Sequence, residues 1–264
     1  MKHPPAATGD DGMRLSKRVA EMKACSRREA EQLIEGGWVQ VNGVVVEEPP
    51  FRVAGDAVIT IDPSAQPAAV APVTLLLHKP PGFDAGTGEP VSIKGLGKGL
   101  RPSLTLLDPA NHHRNGPHDA TPLRRHLVKQ SLCLPLETGA SGLVVFTQDW
   151  RIERKLVEDA AIIEQEFTVE VQGGVDPQVV EQMSRRGAGD DRRLPTFKVS
   201  VTSTADGTTR LRFAVKGSHP GLIAWLCNEA ALQMTAMRRI RIGRLPLAGL
   251  PQGQWRYLQA HERF

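Results

Sequence analysis

The stretch Leu136-Glu137-Thr138-Gly139-Ala140-Ser141-Gly142 runs directly into the apolar Leu143-Val144-Val145-Phe146-Thr147. A polar loop with two glycines that feeds a buried strand is a common place for a catalytic side chain, since the strand is rigid and the loop is open to a ligand. Its ionisable group is Glu137, so the chemistry on offer is that of one carboxylate. No second carboxylate or histidine stands at a spacing that supports ordinary acid–base work with it. A plainer reading has Glu137 capping the strand–loop junction. Lys79 is a further chemical group, placed in the turn His78-Lys79-Pro80-Pro81-Gly82 after the strand-like Val73-Thr74-Leu75-Leu76-Leu77.

Metal and redox chemistry find little support. The three cysteines, Cys25, Cys133 and Cys227, are scattered and never spaced as C-x-x-C, which argues against a thiolate zinc site and a disulfide framework. His112, His113 and His118 cluster in NHHRNGPHD, but no neighbouring cysteine or ordered carboxylates complete a shell, so a solvated polar loop is expected. No metal and no cofactor are expected.

A different kind of chemistry lies nearer the N-terminus. Between Arg14 and Arg28 stand six basic residues against one acid, Glu21, in a chain of net charge +4. Clustered positive charge points to a polyanion partner. Ser26-Arg27-Arg28-Glu29 has the S-x-x-E spacing of a capping box. It places Arg27 and Arg28 in the first turn of a helix, where the dipole disfavours each by about 0.3–1 kcal/mol. Two arginines beside exposed backbone N–H groups make a phosphate site rather than a stability device.

The elements that position these groups follow from pattern. Residues 1–12, rich in Pro, Gly and Asp, are expected to be disordered. Leu15, Val19 and Met22 recur at helical spacing, and the capped helix that follows runs through Ala30, Leu33 and Ile34 to Gly36-Gly37. Val39-Gln40-Val41, Asn42-Gly43 and Val44-Val45-Val46 read as a tight hairpin with Asn42 as a positive-φ turn residue, and Ala57–Ile61 as another strand. A Pro/Ala-rich linker is expected over 63–73, after a small domain over 13–62 and before a larger one over 74–264. In the larger domain 123–129 reads as a short basic helix, Glu166–Val171 and Thr209–Val215 as strands, and Pro220–Ala230 as a helix. Arg239-Ile240-Arg241-Ile242 alternates, which puts both arginines on one face of a strand. Length and composition suit a soluble globular protein with one or two cores, without an apolar run of spanning length or a secretory h-region at the start. A cytoplasmic protein without a membrane partner is expected.

Residues 13–62, RLSKRVA…CSRREAEQLIEGGWVQVNGVVV…AGDAVITID, resemble the S-four-type RNA-binding domain, an αL-type module. By that resemblance Arg14, Lys17, Lys23, Arg27 and Arg28 would face RNA phosphates. Residues 74–258 resemble the catalytic domain of the RsuA/RluF-type rRNA pseudouridine synthases. The family's N-K-P-x-G turn reads His78-Lys79-Pro80-Pro81-Gly82 here, its G-R-L-D-x-D-T-x-G-L-L motif reads Leu134 to Val144, and its K-x-Y strand reads Gln165-Glu166-Phe167. The closing R-x-R-I-G…L-P-x-G-x-W-R is kept as Arg239 to Gly243 and Leu250 to Arg256. The resemblance implies an α+β chain: a small RNA-binding module, then a mixed, largely antiparallel catalytic domain. It also implies a monomer whose partner is RNA, with ribosomal RNA as substrate.

The same resemblance puts Glu137 where the family has its catalytic aspartate, Pro135 where it has an arginine, and Phe167 where a tyrosine stacks on the base. The basic helix motif R-Q-I-R-R reads Gly221-Leu222-Ile223-Ala224-Trp225. Proline donates no hydrogen bond, so another cation, Lys79, Arg238 or Arg241, would orient the carboxylate. Arg239 and Arg241 would add RNA contacts. Two readings follow: a synthase that isomerises uridine to pseudouridine with Glu137 as its carboxylate, or a relative that binds structured RNA without turnover.

Overall fold

The computed structural model describes residues 12–88, 99, 101–114, 121–190 and 194–264. They fall into two compact units. Of the tail expected at 1–12, residues 1–11 lie outside the described residues.

The first unit begins with strand β1 (Met13–Arg14), then α1 (Leu15–Lys23) and α2 (Arg27–Glu35). Both halves of the capping box are present: Ser26 Oγ accepts from the Glu29 N–H at 3.3 Å, and Glu29 Oε2 from the Ser26 N–H at 2.8 Å. Such a cap contributes about 1 kcal/mol. Strands β2 (Val39–Val41) and β3 (Val44–Val45) form the expected hairpin, with Asn42 and Gly43 at φ 50° and 79°, as a type I′ turn requires. Asn42 also accepts the Val58 N–H on its Oδ1. Strand β4 (Arg52–Val53) pairs with β1, and β5 (Ile59–Ile61) with β2. Leu15, Val19, Ala30, Leu33, Ile34, Val39 and Val41 close the core.

The segment 121–129 folds with this unit, although in sequence it lies within the larger domain expected over 74–264. Its helix is short, α3 (Arg124–Leu127). The Glu47 carboxylate accepts from the Arg124 backbone N–H, and the guanidinium of Arg124 pairs with Glu48. Arg125 lies 3.8 Å from Glu35.

The second unit is built on a mixed sheet. Its strands are β6 (Thr74–Lys79), β7 (Ser131–Cys133), β8 (Ser141–Thr147), β9 (Glu164–Gln172), β10 (Phe197–Ala205), β11 (Thr208–Lys216), β12 (Met234–Ile242), β13 (Leu245–Pro246) and β14 (Trp255–Tyr257). Spatial order is β10-β11-β9-β12-β8-β6-β14, with β7 on β8 and β13 on β12. All pairings are antiparallel except β12 with β8. Period-two alternation puts Thr209, Leu211, Phe213 and Val215 of β11 inside, whereas β6 and β8 are buried along their whole length as central strands.

Helix α4 (Trp150–Glu158) starts at Asp149, which accepts from the Arg151 N–H, and α5 (Pro177–Arg185) at Asp176 followed by proline. Helix α6 (Leu222–Glu229) enters through Gly221 at φ 87°. His112 and His113 do not form the solvated loop expected of them: His112 packs on Trp255 with ring centroids 4.6 Å apart, and His113 Nδ1 lies 3.0 Å from Gln254 Oε1. His118 lies outside the described residues. Among the described residues no helix is long and apolar enough to cross a membrane.

Candidate active site

The Glu137 loop is held by backbone pairing on both sides. The Leu136 N–H donates to Ala85, the Gly82 N–H donates to the Thr138 carbonyl, and the Ala140 N–H closes a turn on the Glu137 carbonyl. Leu136 is fully buried, which anchors the loop and leaves the next side chain, Glu137, half-buried at a cleft. Leu134 sits at φ 58°, a left-handed conformation that costs a non-glycine residue on the order of 1 kcal/mol.

Gly142 makes the crossing with β12 possible. A β-carbon there would lie 2.3 Å from the Arg239 carbonyl oxygen and 2.5 Å from its nitrogen, and the backbone stands at φ 122°. Only glycine lets the two strands approach this closely, and that approach brings Arg239 beneath the loop.

Arg239 is fully buried. Its guanidinium donates to the carbonyls of Leu143 (2.8 Å), Pro135 (3.0 Å) and Leu134 (3.0 Å), and to Gln165 Oε1 (2.9 Å). Gln165 in turn donates to the Gly217 carbonyl at 2.8 Å. The expectation that Arg239 meets RNA is therefore corrected: it is a clamp that fixes the backbone just before Glu137. Arg241 is committed too, pairing with Glu164 and Glu166, so it is not a free phosphate contact or a partner for Glu137. A register irregularity between Arg239 and Arg241 breaks the alternation that would have put both on one face.

Lys79, at the end of β6, is also fully enclosed. Its ammonium points at four carbonyl oxygens, those of Ala140 (2.5 Å), Phe83 (2.9 Å), Pro80 (3.2 Å) and Thr138 (3.3 Å). Burial pushes its pKa down to about 7, with neighbouring Arg239 acting in the same direction and the Glu137 carboxylate opposing both. Burial likewise lowers Arg239 to about 10, and Glu137 again opposes it. Two enclosed cations thus face the same carboxylate through the loop.

The carboxylate has a direct partner in the backbone: Glu137 Oε1 accepts from the Gly221 N–H at 2.7 Å. That N–H lies at the entrance of α6, where the helix dipole favours an anion. Sequence reasoning sought a cationic side chain and missed this backbone donor. The signal available was Gly221 itself, since a glycine at the entrance of a helix can take the positive φ that turns its N–H toward a ligand.

Glu137 shares its cleft with Pro135, Gln165, Phe167, His219 and Pro220, among others. Phe167 is 8% exposed, with Phe213 and Arg239 as its strand neighbours, so it is core on most sides and cleft wall on one. The basic residues Arg14 on β1, Lys17 and Lys23 on α1, and Arg27 and Arg28 on α2 are all exposed in the first unit. Arg27 pairs with Glu31 at 3.1 Å, an exposed contact that phosphate can displace.

Residues 13–59 match the model of the S4 domain. The chain is 27% identical over 259 residues to the dual-specificity RNA pseudouridine synthase RluF of Salmonella typhi, covering 96% of this chain and 78% of that one. It is 25% identical over 251 residues to ribosomal large subunit pseudouridine synthase B of Bacillus subtilis, covering 94% and 93%. A crystal structure of a pseudouridylate synthase superimposes with a TM-score of 0.50 at 16% identity, over 94% of this chain and 96% of that one. The chain thus joins an S4 domain to a domain with the fold of a pseudouridylate synthase, and most of its length is similar in sequence to RNA pseudouridine synthases.

Proposed function

We propose that this protein is an RNA pseudouridine synthase acting on ribosomal RNA, with Glu137 as its catalytic carboxylate. The observation that carries the reading is the placement of Glu137. It stands on a loop clamped by Arg239, its Oε1 is directed by the Gly221 N–H, and Phe167 forms part of the same cleft wall.

In this reaction the bond from the ribose C1′ to the uracil N1 breaks, the base turns, C1′ bonds to C5, and C5 gives up its proton while N1 takes one up. The atoms balance within the nucleotide, so no cofactor is required. Glu137 would act on the ribose while the base is detached. Phe167 supplies an apolar face for the uracil and has no hydroxyl, so the C5 proton leaves through another acceptor, water or Glu137 itself. The exposed arginines and lysines of the S4 domain would hold the RNA by its phosphates.

RNA binding without turnover remains the second reading, favoured by Pro135: among the described contacts no guanidinium donates to the Glu137 carboxylate. Single-turnover release of tritium from C5-labelled uridine in ribosomal RNA decides between them. Release by the wild type that disappears in Glu137→Ala supports the synthase. No release at protein excess, with RNA binding shown in the same tube, supports the binder.

A further inference from the structure

Helix α6 forms part of the cleft wall with Leu222 and Ile223, and its eight residues, LIAWLCNE, include no cation. Its inner face, Ile223, Leu226 and Cys227, is buried in the core. Trp225 stands outside, 41% exposed, one turn along from Leu222. Long side chains on a helix lean toward its N-terminus, which here is the Glu137 end.

The indole is not alone. The Arg186 guanidinium carbon lies 5.2 Å from its ring centroid, within cation–π range. Arg186 opens a single π-helical turn, Arg186–Asp190, that follows α5. Such turns are uncommon and re-aim the residues they carry. The turn lies close against β10: a β-carbon at Gly187 would lie 2.2 Å from the Phe197 carbonyl oxygen, and just before the turn, at the end of α5, Ser184 Oγ donates to the Val199 carbonyl at 3.1 Å. Arg186 is therefore presented to Trp225 from a turn seated against β10.

We propose that Trp225 and Arg186 form a stacking site for an unpaired nucleobase of the RNA, next to the nucleotide held at Glu137. This rests on the RNA-modifying function proposed above. Single-stranded RNA is recognised by stacking on aromatic rings and guanidinium planes, and the exposed indole beside a cation, one helical turn from the cleft-lining Leu222, supplies both. The helix thus contributes stacking where it has no charge to offer to phosphate.

The test uses the full chain and ribosomal RNA transcribed with 5-bromouridine, irradiated and mapped by mass spectrometry, alongside binding measured over a range of salt. An adduct on Trp225 is expected. Trp225→Leu should weaken binding about ten-fold, because one stacked base is lost. Trp225→Phe should restore most of it. The slope of affinity against salt should stay unchanged in the leucine variant, since no phosphate contact has gone. Wild-type affinity in Trp225→Leu with no adduct at Trp225 would overturn the stacking site. A lower melting temperature at unchanged affinity would do the same, by marking Trp225 as packing alone. If Glu137→Ala abolishes tritium release while Trp225→Leu binds normally, the synthase stands and the stacking site falls. If the wild type binds no ribosomal RNA, both fall.

Discussion

The Gly221 N–H reaches the Glu137 carboxylate at 2.7 Å across 84 residues of chain. The contact joins the loop before β8 to the entrance of α6, and Gly221 adopts φ 87° to make it. A backbone donor at a helix entrance does part of what a guanidinium would do: it sets the direction of one carboxylate oxygen and favours its negative charge. It differs in being immobile. The length of the acidic side chain must therefore match the distance to the helix.

That match yields the first prediction. Glu137→Asp draws the carboxylate back by about 1 Å, and a displacement of that size costs on the order of 10²-fold when geometry sets the barrier. Single-turnover tritium release should fall by about that factor while affinity for ribosomal RNA holds. An aspartate variant as fast as the wild type would mean that the Gly221 contact does not position the reacting group.

Gly142→Ala tests the strand crossing. A methyl group 2.3 Å from the Arg239 carbonyl cannot be relieved by turning a side chain, because the obstructing atoms are backbone, and φ 122° is strained for alanine. We expect a loss of about 3 kcal/mol, or roughly 6–12 °C in melting temperature. Calorimetry checks this. A shift below 2 °C (about 0.5–1 kcal/mol) would show that β8 and β12 have room to part.

Local chemistry was legible in the sequence, and long-range chemistry was not. The capping box at Ser26 and Glu29 and the Asn42-Gly43 turn follow from residues three or fewer apart, and both stand as read. The burial of Arg239 follows from Gly142, 97 positions earlier, admitting β12 against β8 in parallel. The alternation Arg-Ile-Arg-Ile carries no trace of that, nor of the irregular register that separates the two arginines. The seating of 121–129 with the first unit rests on Glu35, Glu47 and Glu48, more than seventy residues upstream. Glu137 was singled out because a glycine-containing loop before an apolar run is a local pattern. Its partner was missed because a backbone N–H has no residue type to signal it.

Arg239 and Arg28 should behave as opposites. Arg239→Met strips the donors from three backbone carbonyls and from Gln165, and breaking such a buried charged network costs about 3–5 kcal/mol. Urea unfolding should show that loss. Arg28 is exposed on α2, and Arg28→Ala should leave unfolding nearly unchanged while reducing the salt slope of RNA binding by about 0.7–0.9 for the one phosphate released. Arg28 is a cleaner test than Arg27, whose pairing with Glu31 offsets part of any change. A reduced salt slope in a folded Arg239 variant would reinstate that arginine as an RNA contact.

Lys79 sets a pH dependence. Its pKa is 10.5 in the unfolded chain and about 7 in the fold, so between those values the unfolded chain binds a proton that the native chain has released. Stability therefore rises with pH from about 7 to about 10.5, and the contribution is lost as pH falls through 7. Turnover should run the other way. The ammonium attracts the Glu137 carboxylate through the loop, and its deprotonation removes one of the two enclosed cations facing that group. The rate of tritium release should therefore decline above about pH 7 while Arg239 keeps its charge. Lys79→Met should abolish both effects, flattening stability above pH 7 and removing the alkaline limb of the rate profile. A wild-type rate that holds level from pH 6 to 9, with stability rising over the same range, would confine Lys79 to bracing the turn at Pro80 through its carbonyl contacts, without influence on the chemistry at Glu137.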